Sequence, residues 1–407
     1  MSLNSAIRRL GPGFLFAGAA IGVSHLVQST RAGADFGMGL LWALVLINLA
    51  KYPFFEFGPR YAMATGESLL EGYKKLGRPA LIAYFIITLA TMFTIQTAVT
   101  IVTSGIASSL FGGQDTTVWS AVITGICFTI LILGRYKVLD SLMKIIIICL
   151  TISTLLAVIL ALKDAEQVSW AQTIPESAVG IGFLIAFMGW MPAPLDISIW
   201  HSMWTLEKKK ITAGITPKQS RFDFNVGYLT TIFLAVCFVL LGGLVMFGSG
   251  EQFSSSGGVF ANQLIEMYTT NLGDGTRYII GIAALTTMFS TTLTTLDASP
   301  RAMAKTTELL KNREMPRAYL IWLIILVVGT TAIFVFLTRV EGLMGLLIKI
   351  ATVLSFLTAP FYAGLNLRLV TSKHMPKEHR PALWLYVLGW IGMAVLIGFS
   401  LWYLFTL

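Results

Sequence analysis

The chain has 407 residues and a net charge of +9, with 56% hydrophobic and only 12% charged residues and a mean hydropathy of +0.77. A soluble protein of this size carries about 25% charged residues, so the composition excludes a soluble enzyme, a disordered chain and a nucleic-acid binder, despite a pI of 9.4. It is the composition of a polytopic membrane protein, whose first partner is lipid. Cys127, Cys149 and Cys237 stand singly in apolar runs, as small packing residues and not as disulfides or metal ligands. The opening MSLNSAIRRLGPGF has no small-residue cleavage site behind a short apolar stretch, so no removable leader is expected.

A membrane helix needs roughly 20 mostly apolar residues, because the hydrocarbon core is about 30 Å thick. Stretches of that kind lie near 11–29, 36–57, 79–104, 117–134, 139–162, 179–204, 226–248, 276–297, 318–338, 342–367 and 382–406, which predicts eleven spans. Runs such as KIIIICLTISTLLAVILAL lack the alternation of barrel strands. No long linker separates the spans, so residues 1–407 read as one all-α transmembrane domain. Between spans 7 and 8, ANQLIEMYTTNLGDG reads as a short amphipathic surface helix ended by Gly273. Of the 29 basic residues, 22 fall at the amino terminus or in the even-to-odd loops, the LEKKK run among them, and four (Arg31, Lys163, Arg277 and Arg339) on the opposite side. The positive-inside rule then places the amino terminus in the cytoplasm and, with an odd span count, the carboxyl terminus outside a plasma or inner membrane.

Spans 1 and 6 begin alike. Gly13, Phe14, Leu15 and Ala17 recur as Gly182, Phe183, Leu184 and Ala186 at an offset of 169 residues. That offset predicts two inverted five-span repeats, about 11–162 and 179–367, with an extra helix at 382–406. Secondary transporters built this way hold their substrate where helices break at mid-membrane. Both spans carry breakers: Gly18 and Gly22 in the first, and Gly189, Pro192 and Pro194 in the sixth. Backbone freed at that depth is tolerated only where it lines a cavity or binds something. Paired proline kinks serving packing alone are the competing reading.

Several segments, taken in order, resemble the NRAMP family of divalent metal transporters: GPGFLFAGAAIG, RAGADFGMGLLWALVLINL, RYAMATGESL, FSTTLTTL and ATVLSFLTAPF. The resemblance implies a LeuT-like fold with broken helices 1 and 6. It also implies transport of a divalent metal, usually coupled to protons. The family's first-span Asp-Pro-Gly-Asn aligns here with Gly22, Val23, Ser24 and His25, and its sixth-span Met-Pro-His with Met191, Pro192 and Ala193. A thioether favours soft or borderline metals, while the charge lost at position 22 can pass to Asp196.

The candidate substrate-binding residues are therefore Ala19, Gly22, Ser24, His25, Met188, Trp190, Met191 and Asp196, with His25, Met191 and Asp196 as candidate metal ligands. Each has a bland counterpart, since a lone His or a mid-membrane Trp is commonly packing. Lys51, Glu56, Asp140, Lys144 and Lys349 are expected to tie to one another, with Asp140 and Lys144 spaced i,i+4 on one helix face. Asp297 is expected at the interfacial end of span 8, and His201 at the surface. No catalytic motif is present, so the chain reads as a transporter and not an enzyme, with no cofactor beyond a transported ion. A divalent metal and a non-metal small solute, organic or amino-acid-like, both remain open as cargo. Sequence leaves the oligomeric state unknown.

Overall fold

The computed structural model describes residues 11–113, 116–133, 136–162, 170–212, 214–248, 253–254, 257–273, 277–337 and 343–406. Its helices run α1 (Pro12–Ala20), a π-helical turn (Ser24–Ser29) and α2 (Thr30–Phe36), then α3 (Leu41–Thr65), α4 (Leu69–Leu76), α5 (Arg78–Phe111), α6 (Thr116–Leu133) and α7 (Tyr136–Ala161). They continue with α8 (Ala178–Trp190), α9 (Ile197–Ile211), α10 (Pro217–Val245), α11 (Gly257–Leu272), α12 (Arg277–Lys311), α13 (Ala318–Leu337), α14 (Leu343–Thr371) and α15 (Leu383–Thr406). Each expected span overlaps one or more of these helices, though several bounds differ, as at 36–57 against α3 and 276–297 against α12. The expected surface helix is α11, closed by Gly273 at φ +84°.

Among the described residues, seven helices are long and apolar enough to cross a membrane: α5, α6, α7, α10, α13, α14 and α15. The segments that fall short are informative. The pairs α1–α2 and α8–α9 are broken, α3 carries Lys51, Glu56 and Arg60, and α12 carries a run of hydroxyls. These are the inner helices, where polar groups can be satisfied by protein. By contrast α6 and α13 turn Val118, Val122, Ile126, Leu320, Ile324 and Val328 outward, a face suited to lipid.

Small residues bring the inner helices together. A Cβ added to Gly33 of α2 would lie 2.1 Å from the Val239 carbonyl oxygen, and one on Gly242 of α10 would lie 2.0 Å from that of Thr30. Only glycine permits backbone contact at this crossing. Short polar signals end the loops: Ser68 and Glu71 form a capping box on α4, as do Thr216 and Gln219 on α10.

Three expectations are corrected. Lys51 forms no ion pair with Glu56, which is taken by Arg60 one helical turn away at 2.7 Å. Asp297 does not end its helix: α12 continues through Pro300 to Lys311, and Asp297 is buried, bonded to Arg301 and to the Tyr319 hydroxyl. His201 is fully buried between the rings of Phe16 and Phe224, each at 5.6 Å. The expected Asp140–Lys144 pair involves a side chain outside the described residues, as do the basic residues at 8, 9, 135, 137, 163 and 339.

Candidate functional site

The two broken helices stop at corresponding places, α1 at Ala20 and α8 at Trp190. A helix that ends leaves its last four carbonyls without intrahelical partners, and each break meets this need differently. At the first, Ser24 Oγ donates to the Ala20 carbonyl at 2.6 Å. Thr291 Oγ1 of α12 reaches the carbonyls of Gly18 and Ile21 at 3.3 and 3.1 Å, and Ser290 Oγ reaches Gly18 at 3.3 Å. Gly22 packs directly on α12, since a Cβ there would lie 2.4 Å from Thr291 Oγ1.

At the second break the donor is an ammonium. Lys51 Nζ, fully buried, donates to the carbonyls of Met188, Gly189 and Ala193 at 2.9, 2.7 and 3.3 Å. The segment between α8 and α9 carries a cis Met191–Pro192 bond and ends at Asp196. Trp190 Nε1 donates to Ser355 Oγ of α14 at 2.9 Å.

Between the breaks lies a cavity of ≈ 30 Å³, lined by Ala19, Ser24, Trp190, Asp196, Thr291 and Thr295 together with apolar side chains of α5 and with Trp200. At about 10–15 Å³ of such space per water, it holds roughly two waters or one small ion. Asp196 is 6% exposed, and its Oδ1 has no hydrogen-bond partner among the described residues. Four expected site residues, Ala19, Ser24, Trp190 and Asp196, thus share one cavity.

The other four stand elsewhere. Both ring nitrogens of His25 are engaged, one with Ser24 Oγ at 2.7 Å and one with the Thr231 carbonyl of α10 at 2.9 Å. Met191 Sδ lies 3.8 Å from the Ser29 hydroxyl. Met188 contributes its carbonyl to Lys51, and Gly22 contributes close packing. Among the described residues, no three His, Cys, Asp or Glu side chains gather where they could hold a metal. The hydroxyls of α12 and the ammonium of Lys51 were not anticipated at the site. The run FSTTLTTL was the available signal for the former.

A family model described as natural resistance-associated macrophage protein-like matches residues 13–406. The chain belongs to the Nramp family. It is 36% identical to an uncharacterized protein of Pasteurella multocida (strain Pm70), over 98% of this chain and 92% of that one. It is 24% identical to Metal transporter Nramp6.1 of Populus trichocarpa, over 98% of this chain and 73% of that one. Among solved structures, an Eremococcus coleocola manganese transporter shares the fold, with a TM-score of 0.76 at 16% identity over 98% of this chain and 86% of that one. The LeuT-like, all-helical architecture of an integral membrane transporter is therefore that of this Nramp chain.

Proposed function

We propose that this Nramp protein is a secondary transporter that carries a divalent metal cation by alternating access, with the ion resting in the cavity between the two breaks. The observation that carries the reading is Asp196. A buried carboxylate with an unpartnered oxygen is costly in a membrane interior unless a cation or a proton joins it. The hydroxyls of Ser24, Thr291 and Thr295 beside it offer neutral oxygens, a hard donor set that suits magnesium or manganese held with some of their water. Similarity to a Populus metal transporter and an Eremococcus manganese transporter supports the same cargo class.

Proton coupling is expected to be weak or absent. The titratable Asp and His of the family's first- and sixth-span motifs align here with Gly22 and Ala193, which carry no proton, and His25 has both nitrogens engaged. The distribution of basic residues supports a cytoplasmic amino terminus and an outer carboxyl terminus.

The test is uptake of Mn, Mg, Ni and Zn into proteoliposomes with internal pH followed, comparing the parent with Asp196→Asn. The parent is expected to take up a metal without stoichiometric acidification. Asp196→Asn should lose at least about tenfold in uptake, the worth of one charge-assisted contact of about 1.4 kcal/mol or more. A parent that takes up none of the metals would sink the reading. The alternative cargo, a non-metal small solute, finds no free cationic partner in Lys51, whose three donors are taken by carbonyls. Amino acids run in the same assay address it.

A further inference from the structure

We propose that the backbone carbonyls at the break between α8 and α9 form a cation site that the chain fills with its own Lys51, and that a primary alkylammonium ion will bind there once the lysine side chain is removed. The carbonyls of Met188 and Gly189 belong to the last turn of α8, where intrahelical partners run out and the negative end of the helix dipole lies. Ala193 adds a third oxygen from the irregular segment. An ammonium has three donors and no acceptor, and three carbonyls meet it at 2.7 to 3.3 Å.

The groups in direct contact with the charge are these carbonyl dipoles. Among the described residues no carboxylate comes within ion-pair distance of Lys51; Asp196 acts on it only through space, and Glu56 is paired with Arg60. The distances also set the class of guest. Oxygens at 2.7 to 3.3 Å suit an ammonium, whereas magnesium needs about 2.0–2.1 Å and calcium about 2.3–2.6 Å. Met188, Gly189 and Ala193, whose carbonyls hold Lys51, do not line the cavity, whereas Asp196 does. The site is thus distinct from the proposed cargo position.

The test uses the full chain in detergent and reads stability, not transport. Lys51→Ala removes three methylenes and the ammonium, a volume that propylammonium matches. The variant is expected to melt below the parent. Propylammonium chloride should restore most of that loss in a saturable way, its effect growing with the logarithm of concentration above the dissociation constant. Propanol, the neutral isostere, should not restore it, and the parent should not respond to propylammonium. No saturable rescue, or equal rescue by propanol, overturns the proposal. Should Lys51→Ala fail to fold, Lys51→Met and Lys51→Arg decide. Arg keeps a cation among the carbonyls and should stay nearer the parent's midpoint, while Met should fall well below it. A Met variant as stable as the parent would mean the carbonyls need no cation.

Discussion

Replacing Asp223 with Ala tests how the first half-helix is held in place. The amides of Gly11 and Gly13 donate to the two oxygens of the Asp223 carboxylate at 2.9 and 2.8 Å. Both belong to the start of α1, where amides have no intrahelical acceptor and negative charge is favoured. Asp223 is 2% exposed, and the helices touch so closely that a Cβ on Gly13 would lie 2.0 Å from the Asp223 carbonyl oxygen. Little room is left for water to replace the lost acceptors. Hydrogen bonds to a charged group contribute about 1.5–3 kcal/mol each, so two at the lower figure give about 3 kcal/mol. If that loss is local, amide exchange protection across α1 should fall roughly a hundredfold. Hydrogen–deuterium exchange of the full chain in detergent reads this directly, and Asp223→Asn, which keeps one acceptor oxygen, should fall between. Unchanged protection in α1 would refute the reasoning. So would an equal loss in α5 and α14, since that would mean the carboxylate supports the whole bundle and not this half-helix.

His201→Phe should leave transport intact and raise the melting temperature or leave it unchanged, because both imidazole nitrogens are buried without partners among the described residues and such groups cost about 1–3 kcal/mol each; loss of uptake by a folded variant would instead mean that the ring carries protons. Gly242→Ala should cost about 1–3 kcal/mol or more in unfolding assays, since its Cβ would lie 2.0 Å from the Thr30 carbonyl oxygen. Gly125→Ala, with nothing within 4 Å, should be neutral or stabilising by up to about 1 kcal/mol, and equal effects at the two sites would contradict the packing argument. At the base of α4, burial pushes the Glu71 carboxyl up, but the Ser68 amide at 2.7 Å and Lys305 at 2.9 Å outweigh it and hold the group below its ordinary 4.5. A depressed folded pKa contributes stability that is present above 4.5 and lost as pH falls through the lower folded value. Glu71→Gln should therefore flatten the acid limb of the stability profile, and an unaltered limb in melts from pH 6 downward would count against the pairing.

The helices and the two breaks were legible because hydropathy runs and Gly or Pro breakers are local signals. Gly18 and Gly22 foretold the end of α1 at Ala20, and Pro192 with Pro194 foretold the irregular segment after Trp190. What occupies the breaks was not legible. Lys51 was expected to seek an acid, since a sequence displays charges but not the carbonyl dipoles of a helix that stops. His201 lies five residues before the LEKKK run, yet Ile197, Trp200 and Trp204 share its helix and are buried, so helical spacing outweighed proximity to the charged loop. Asp297 marked the edge of hydropathy and not the end of the helix, because the charged turns Arg301 to Lys311 continue α12 beyond the apolar stretch.

A broken helix inside a membrane must have its freed backbone satisfied by protein or by what it binds. Here protein groups have largely taken that role: the hydroxyls of Ser24, Ser290 and Thr291 at the first break and the ammonium of Lys51 at the second. The backbone of the breaks is thus mostly spoken for, and the carboxylate of Asp196 is the charged group that remains to face the cavity. A dication entering under the proposed function would set two positive charges against one negative, with a second cation held nearby. Direct ligation by a full protein shell would then be poorly compensated, and retained water lowers the desolvation cost instead. A cavity of ≈ 30 Å³ admits about two waters, so an ion keeping more of its shell needs a wider site than this conformation provides. Metal binding should accordingly open the gap between α1 and α9. A spin-label pair across those two helices whose distance distribution stays fixed on adding manganese or magnesium would rule out the hydrated-ion account.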